Sequence, residues 1–400
     1  MISTLHLFNP DNDLALANNN ENYQAPASAR QIADDLAVLP AWWAERGDKV
    51  LVPSIREAEN WQTEVGGLLP GVEWYSLRQV PEIDRVKAWG WNPALRKHLR
   101  LWGVGDKALP SPEQIECFRI LSSRLSAVRL LSQLMFSDSF CGKSVYCTTE
   151  QEVESALTAY PETMLKAPYS SSGKGLRWGH AVYEPVLANW CRRILKSQGG
   201  VVVEPLYNKV EDFAMEFYAE GGNVRFAGYS LFRTDSNGAY EGNSLVSDQE
   251  IEILLCEKIE RTALLALKSA LPSLLSDWLH GSGYQGYLGV DMMLCSFTEP
   301  PYLRIHPCVE INLRMNMGVV ARLFYDRYIA DGARGLFVID YQGNNELLQA
   351  EHHRLKSEHP LCIANGRIQS GYLSLVPVTQ HARYRAYVLV GCCLLYTSDA

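Results

Sequence analysis

Ten cysteines are spread along the 400 residues without one Cys-x-x-Cys pair, which excludes a zinc ribbon and a thioredoxin-type redox motif. Scattered thiols of this kind fit buried, reduced side chains in a cytosol. The opening residues, Met1 to Phe8, lack the basic region of a signal peptide, and Asp11 and Asp13 follow before an apolar stretch of sufficient length, so export is not expected. The longest apolar run near the end, residues 386–396, falls short of the roughly 20 residues that cross a bilayer, so no transmembrane helix is expected either. A cytoplasmic location with no membrane partner follows as the expectation. An excess of basic residues is also missing: 37 Lys and Arg against 45 Asp and Glu give a net charge of −8, which argues against nucleic-acid binding through bulk electrostatics. Internal repeats and low-complexity linkers are absent. What is present, 47% hydrophobic and 20% charged residues, is the composition of a globular chain long enough for two or three packed units.

The pattern along the chain divides it. An apolar segment, Thr4 to Phe8, runs into the turn-rich Asn9-Pro10-Asp11-Asn12-Asp13; a helical pattern from Ser28 to Arg46 follows, and then a short strand at Lys49–Pro53. The alternation continues to about residue 112, with Trp89-Gly90-Trp91-Asn92-Pro93 as a further strand-to-helix turn, and predicts a doubly wound α/β domain. Ser111-Pro112-Glu113 opens a helix expected to continue through Ile115–Met135. Beyond it, strands predicted near 143–148, 164–167, 176–179, 201–205, 213–218 and 223–231, a helix-rich interval at 248–280, and strands at 286–295 and 302–312 describe an α+β unit with antiparallel sheet.

Three stretches carry candidate chemistry. In Lys166-Ala167-Pro168-Tyr169-Ser170-Ser171-Ser172-Gly173-Lys174-Gly175, a strand ending in lysine enters a small, Gly- and Ser-rich loop that offers backbone N–H groups and two cations to a polyphosphate. It is not a Walker A loop, because Lys174 is followed by Gly175 and strand-like residues rather than a helix; a plain hairpin turn is the alternative. In Val201-Val202-Val203-Glu204-Pro205-Leu206-Tyr207, an apolar strand breaks into a Pro-containing hinge, and Asp212 follows eight residues after Glu204; the alternative is a surface turn. In Val290-Asp291 and Val309-Glu310-Ile311-Asn312, strand alternation lets three oxygen-bearing side chains share one sheet face, a set suited to magnesium held with a nucleotide, or else to solvated outward positions.

In their order and spacing the three stretches together resemble the ATP-grasp superfamily over roughly residues 113–320, and the preceding domain resembles the pre-ATP-grasp domain. The resemblance implies an α/β pre-ATP-grasp domain at 1–112, an α+β ATP-grasp fold at 113–330 with a mobile lid subdomain at about 140–203, and a C-terminal extension at 331–391. It implies ATP and Mg2+ as cofactors, with Mn2+ an alternative. Lys166 would contact the α and β phosphates; Ser171, Ser172, Gly173, Lys174 and Gly175 would close over the γ phosphate; Glu204 and Leu206 would meet adenine and Asp212 the ribose. Asp291, Glu310 and Asn312 would hold the metal. Arg314, two residues beyond Asn312, would neutralise the transferring phosphoryl group, with Lys174 the other catalytic cation.

The activity implied is that of an ATP-dependent carboxylate–amine ligase: a carboxylate takes the γ phosphate as an acyl phosphate, and an amine displaces phosphate. A kinase that stops after phosphoryl transfer and a nucleotide-binding module without turnover remain alternatives, and the partners expected are small-molecule carboxylates and amines, with a homodimer left open. The superfamily's additional upstream lysine is not evident; Arg129 is one substitute, an ordinary surface arginine the other reading. Leu288 and Gly289 stand where many dipeptide-forming members carry arginine, which speaks against the D-alanine ligase type. For the acceptor, Asn9, Asp11, Asn12 and Asp13 in the first strand-to-helix loop and Arg233 in the 233–243 loop are candidates, and His306 reads as a structural histidine. The segment 392–400 resembles a translated sequencing adaptor and reads as a non-native scar, so that the natural C-terminus is expected to be missing.

Overall fold

The computed structural model describes residues 2–76, 82–170, 175–235 and 238–391. Ser171, Ser172, Gly173 and Lys174, and the segment 392–400, lie outside the described residues.

The chain begins with β1 (Thr4–Leu7), α1 (Asn12–Asn18), α2 (Ala27–Asp35), β2 (Lys49–Leu51), α3 (Ile55–Val65), β3 (Glu73–Tyr75), β4 (Arg85–Ala88) and α4 (Pro93–Leu101). The four strands pair in parallel in the order β3-β2-β1-β4, as the alternating pattern predicts. Asn92 starts α4 by accepting from the Leu95 N–H with Pro93 at the first helical position, which explains the sharp turn after β4. The helix expected over Ser28–Arg46 ends instead at Asp35, and a short 3-10 turn, Leu39–Trp42, with Pro40 inside it, follows.

The single helix expected from residue 115 to 135 is two: α5 (Pro112–Leu121) and α6 (Arg124–Leu134). Apolar spacing carries through the break, but Ser123 takes extended backbone and its side chain caps α6, restarting the helix. A small unit follows with β5 (Val145–Cys147), α7 (Glu150–Thr158), β6 (Glu162–Lys166), β7 (Leu176–His180), α8 (Pro185–Gln198) and β8 (Val201–Pro205), its antiparallel sheet ordered β5-β8-β6-β7. It has its own core, including Val153, Leu157, Leu165, Trp190 and Val203.

Next come β9 (Lys209–Glu220), β10 (Asn223–Thr234), β11 (Tyr240–Leu245), α9 (Asp248–Cys256), α10 (Arg261–Leu279), β12 (Gly286–Ser296), β13 (Leu303–Asn312) and α11 (Met317–Tyr328). The chain closes with β14 (Gly335–Tyr341), α12 (Asn345–Glu358), β15 (Cys362–Ala364), β16 (Arg367–Ser374) and β17 (Tyr384–Val390). These strands form one sheet of nine, β13-β12-β9-β10-β11-β14-β17-β16-β15. Residues 331–391 therefore continue the central sheet. One face packs Phe213, Met215, Tyr229, Leu231 and Val290 against α9 and α10. The other takes α11 and the first domain, where Trp42 meets Phe324 and Tyr328 edge-on at 5.2 and 5.1 Å. Among the described residues no helix is long and apolar enough to cross a membrane.

Candidate functional site

Strand register assembles the site. Asp291 on β12 lies opposite Glu310 on β13 and Ala214 on β9, and Gly289 lies opposite Asn312 and Glu216. Directly paired residues point to the same face, so Glu216, Asp291, Glu310 and Asn312 share one. The Asn312 amide donates to Asp291 at 2.9 Å. Burial, followed by the Glu310 carboxylate, pushes the Asp291 carboxyl up to about 7, against the pull of Asn312 and Arg314. Two carboxylates and an amide oxygen on adjacent strands are the donor types that a hard divalent cation such as magnesium takes, while among the described residues no three His, Cys, Asp or Glu side chains stand together as a metal cluster.

Glu216 belongs to this row and was missed by sequence reasoning. Its carboxyl is raised to about 8, first by burial and also by Asp291, while the Asn316 amide donating at 2.8 Å opposes the shift. Two glycines make room for it: a Cβ at Gly289 would meet Glu216 and Asn316, and one at Gly318 would meet Glu216 and Ser230. A glutamate at alternate positions with Asp212 on a long strand was the only available signal.

Across the cleft, Lys166 ends β6 and Glu204 sits on β8, both buried and joined at 2.6 Å, with the Ser144 hydroxyl donating to Glu204 at 3.0 Å. The Leu206 N–H donates to the Glu162 carbonyl, and its side chain is exposed. Asp212 accepts from Lys209 at 2.5 Å and from the Thr234 hydroxyl at 2.9 Å. Gly175 closes onto Ser170 and Ala167 so tightly that a Cβ there would collide with the Ser170 side chain.

Arg129 is the ordinary surface arginine of the alternative reading, and the cation that reaches the site is Arg124. Arg129 is exposed, whereas Arg124 is buried at the start of α6 and links the two halves of the cleft. It donates to the Ala167 carbonyl and the Ser170 hydroxyl, each at 2.6 Å, and to Glu310 at 2.8 Å. Only the break between α5 and α6 brings its side chain there, which the unbroken apolar spacing conceals.

Arg314 is held in a fork by Asp13 from the first domain, at 3.0 and 2.7 Å. Burial works against its charge, but Asp13, Glu310 and Asp291 outweigh that and hold it firmly protonated. Of the other acceptor candidates, Asn9 exchanges hydrogen bonds with the Gly90 backbone and Asn12 accepts from Asn92, so both stitch the β1 turn to the β4 turn. Asp11 is half-buried, and burial raises its carboxyl. Arg233 pairs with Gly242 and so lies on the opposite face of the sheet from Asp291. His306 is fully buried, its ring 5.5 Å from that of Tyr207, with neither nitrogen hydrogen-bonded. A narrow pocket of about 10 Å³, near the minimum that holds one water, remains between Asp13, Ser170, Glu310 and Asn312.

No family model and no curated protein matches the sequence. Solved structures do match over nearly the whole chain. The biotin carboxylase–β-γ-ATP complex from Campylobacter jejuni is 11% identical with a TM-score of 0.52, covering 98% of this chain and 88% of that one. The fold is the ATP-grasp fold. The biotin carboxylase domain dimer of Hydrogenobacter thermophilus 2-oxoglutarate carboxylase, solved with MgADP, ADP and bicarbonate, is likewise 11% identical with a TM-score of 0.50, covering 98% and 86%. The β5–β8 unit spans the residues expected to form a lid, about 140–203.

Proposed function

We propose that the protein is an ATP-dependent carboxylate–amine ligase that releases ADP and phosphate. The observation that carries this reading is the facing of two charge sets across one cleft: Asp291, Glu310 and Asn312 on the sheet, and Lys166 and Arg124 at the base of the lid. In this reading Asp291, Glu310 and Asn312 hold magnesium, with manganese an alternative, and the metal supplies charge neutralisation on the phosphate oxygens. Lys166 exchanges part of its contact with Glu204 for phosphate, and Arg124 turns from Glu310 toward the same anion. Lys174 and the residues from Ser171 to Gly175 cover the γ phosphate, Glu204 and Leu206 meet adenine, and Asp212 meets ribose. Arg314, kept oriented by Asp13, faces the carboxylate being activated and stabilises the charge on the acyl phosphate.

The chain needs no nucleophile of its own, since the substrate carboxylate attacks the phosphoryl group and the amine then displaces phosphate. Its residues bind, orient and exclude water, and the closed lid protects the acyl phosphate from hydrolysis. Small-molecule carboxylates and amines are the substrates, the cytoplasm is the location, and a homodimer is compatible with the reading.

The test is acceptor-dependent ADP release in the full chain with panels of carboxylates and amines. Glu310→Gln, which keeps the shape and a hydrogen-bond acceptor for Arg124, is expected to lower turnover on the order of 100- to 1,000-fold while leaving thermal unfolding cooperative. Unchanged turnover in that variant removes the metal assignment. A stable phosphorylated acceptor without loss of amine replaces the ligase reading by the kinase.

A further inference from the structure

The small β5-β8-β6-β7 sheet carries one large side chain that neither the phosphate nor the metal assignments use. Register divides this sheet into two faces. Arg177, Leu165 and Val203 form one cross-strand row, and Trp178, Met164 and Glu204 form the next. Leu165 and Val203 are buried with Trp190 of α8, and the Arg177 guanidinium lies 5.6 Å from the Trp190 ring, so this row faces the helices. Successive side chains on a strand point to opposite faces. Trp178 therefore shares the other face with Met164, Lys166 and Glu204, where Lys166 and Glu204 form their ion pair.

Trp178 is 54% exposed, the only one of the ten tryptophans that is more than half open to solvent. It stands on β7, which pairs with β6 alone, so its outer flank is free of packing from a further strand. Met164 beside it is half-buried, and the row ends at Glu204, two residues before the exposed side chain of Leu206. Leu176 and Lys166 form the adjacent row on the same face, two residues or about 7 Å along the strands. Open apolar surface thus lies next to the cation assigned to phosphate and in one row with the hinge.

We infer that Trp178 is a base-stacking residue of the nucleotide site and sets a preference for a purine. The inference rests on the proposed assignment of Lys166 to phosphate and of Glu204 and Leu206 to adenine. A two-ring base against the indole and Met164 takes out of water apolar surface that the free chain leaves exposed, and the stacked rings add the attraction of offset aromatic pairs. A pyrimidine has a single ring and covers less of the indole. Lys166 and Arg124 carry no such preference, because they meet the same charged tail in every nucleoside diphosphate.

The test is calorimetric titration of the full chain with MgADP, MgCDP and magnesium tripolyphosphate, for the parent, Trp178→Ala and Trp178→Phe. The parent is expected to bind MgADP about tenfold more tightly than MgCDP. Trp178→Ala is expected to lose about 10- to 100-fold in MgADP affinity and a smaller factor in MgCDP affinity, with tripolyphosphate binding and the thermal midpoint unchanged. Trp178→Phe keeps an aromatic face and is expected to recover most of the MgADP affinity. Unchanged MgADP affinity in Trp178→Ala overturns the assignment and leaves the nucleotide site standing. An equal loss for MgADP and MgCDP overturns the purine preference, and a matching loss for tripolyphosphate overturns stacking in favour of a disturbed sheet. A parent chain that binds none of the three overturns the assignment together with the nucleotide site on which it rests.

Discussion

His306 shows what a single buried side chain does to this fold. Burial is the largest cause holding its ring at about 4 rather than near 6.5, and Lys166 adds to the effect while Glu204 opposes it. The unfolded chain takes up a proton on this ring near pH 6.5 and the folded chain does not until about pH 4. Between those values the unfolded state binds more protons, so stability is full above the upper value and is lost as pH falls through the window. The ceiling of the effect is about 3 kcal/mol. His306→Leu removes both orphaned nitrogens and the titration. Denaturant midpoints measured at several pH values from 7 to 4 are expected to fall less steeply in the variant than in the parent; parallel curves would show that the ring is hydrated and titrates freely. The same residue illustrates the limits of reading a sequence: an isolated histidine between apolar neighbours reads as structural, but nothing in its spacing says that it packs against the hinge tyrosine.

At the scale of elements, strands and their facing sides were legible, and breaks and close approaches were not. Alternation placed Asp291, Glu310 and Asn312 on one face because a half-buried strand has a fixed period of two, and the register bears that placement out. The same rule could not find Glu216, since a buried carboxylate looks like an outward polar residue until the neighbouring elements are known. Arg124 was hidden for a different reason: helical periodicity runs from Ile115 to Met135 without a gap, and only the capping role of Ser123 shows that the chain restarts. Helix α11 depends on a similar local device. Gly318, in its first turn, approaches Glu216 and Ser230 so closely that a methyl group would displace both. Alanine would gain about 1 kcal/mol of helix propensity, but overpacking against two β9–β10 side chains costs about 1–3 kcal/mol. Gly318→Ala is therefore expected to be destabilising on balance and to weaken magnesium-dependent turnover by shifting Glu216 off Asn316. Denaturation and ADP release measured on the same preparation check both; a stabilised variant with full activity would show that α11 slides freely over the sheet.

For the whole molecule, the informative difference concerns residues 331–391, which by sequence look like an appendage to a complete core. In the structure their strands extend the central sheet past β11, and their inner face helps to seal the first domain. Trp42 donates its indole N–H to the Leu375 carbonyl at 2.8 Å, and Trp61 donates to the Ser374 carbonyl at 3.3 Å, so the first domain is hydrogen-bonded to the last thirty residues described. Phe337, Ile368, Leu373, Leu375, Val376, Ala386, Val388 and Val390 are buried in one cluster with Trp42, Trp61, Phe324 and Tyr328. Each of the larger of these contributes about 1.5–3 kcal/mol by burial, whereas a whole domain keeps a margin of only about 5–15 kcal/mol. A chain ending at residue 330 would expose that cluster, free the edge of β11 and leave two indole N–H groups without acceptors. Such a chain is expected to show no cooperative thermal transition and to aggregate, although every residue proposed to bind ATP and magnesium is retained. Circular dichroism and size-exclusion chromatography of residues 1–330 beside the full chain make the comparison. A monomeric 1–330 fragment that unfolds cooperatively and binds MgADP would show that the extension is an independent addition, and that the first domain and the catalytic sheet close on each other without it.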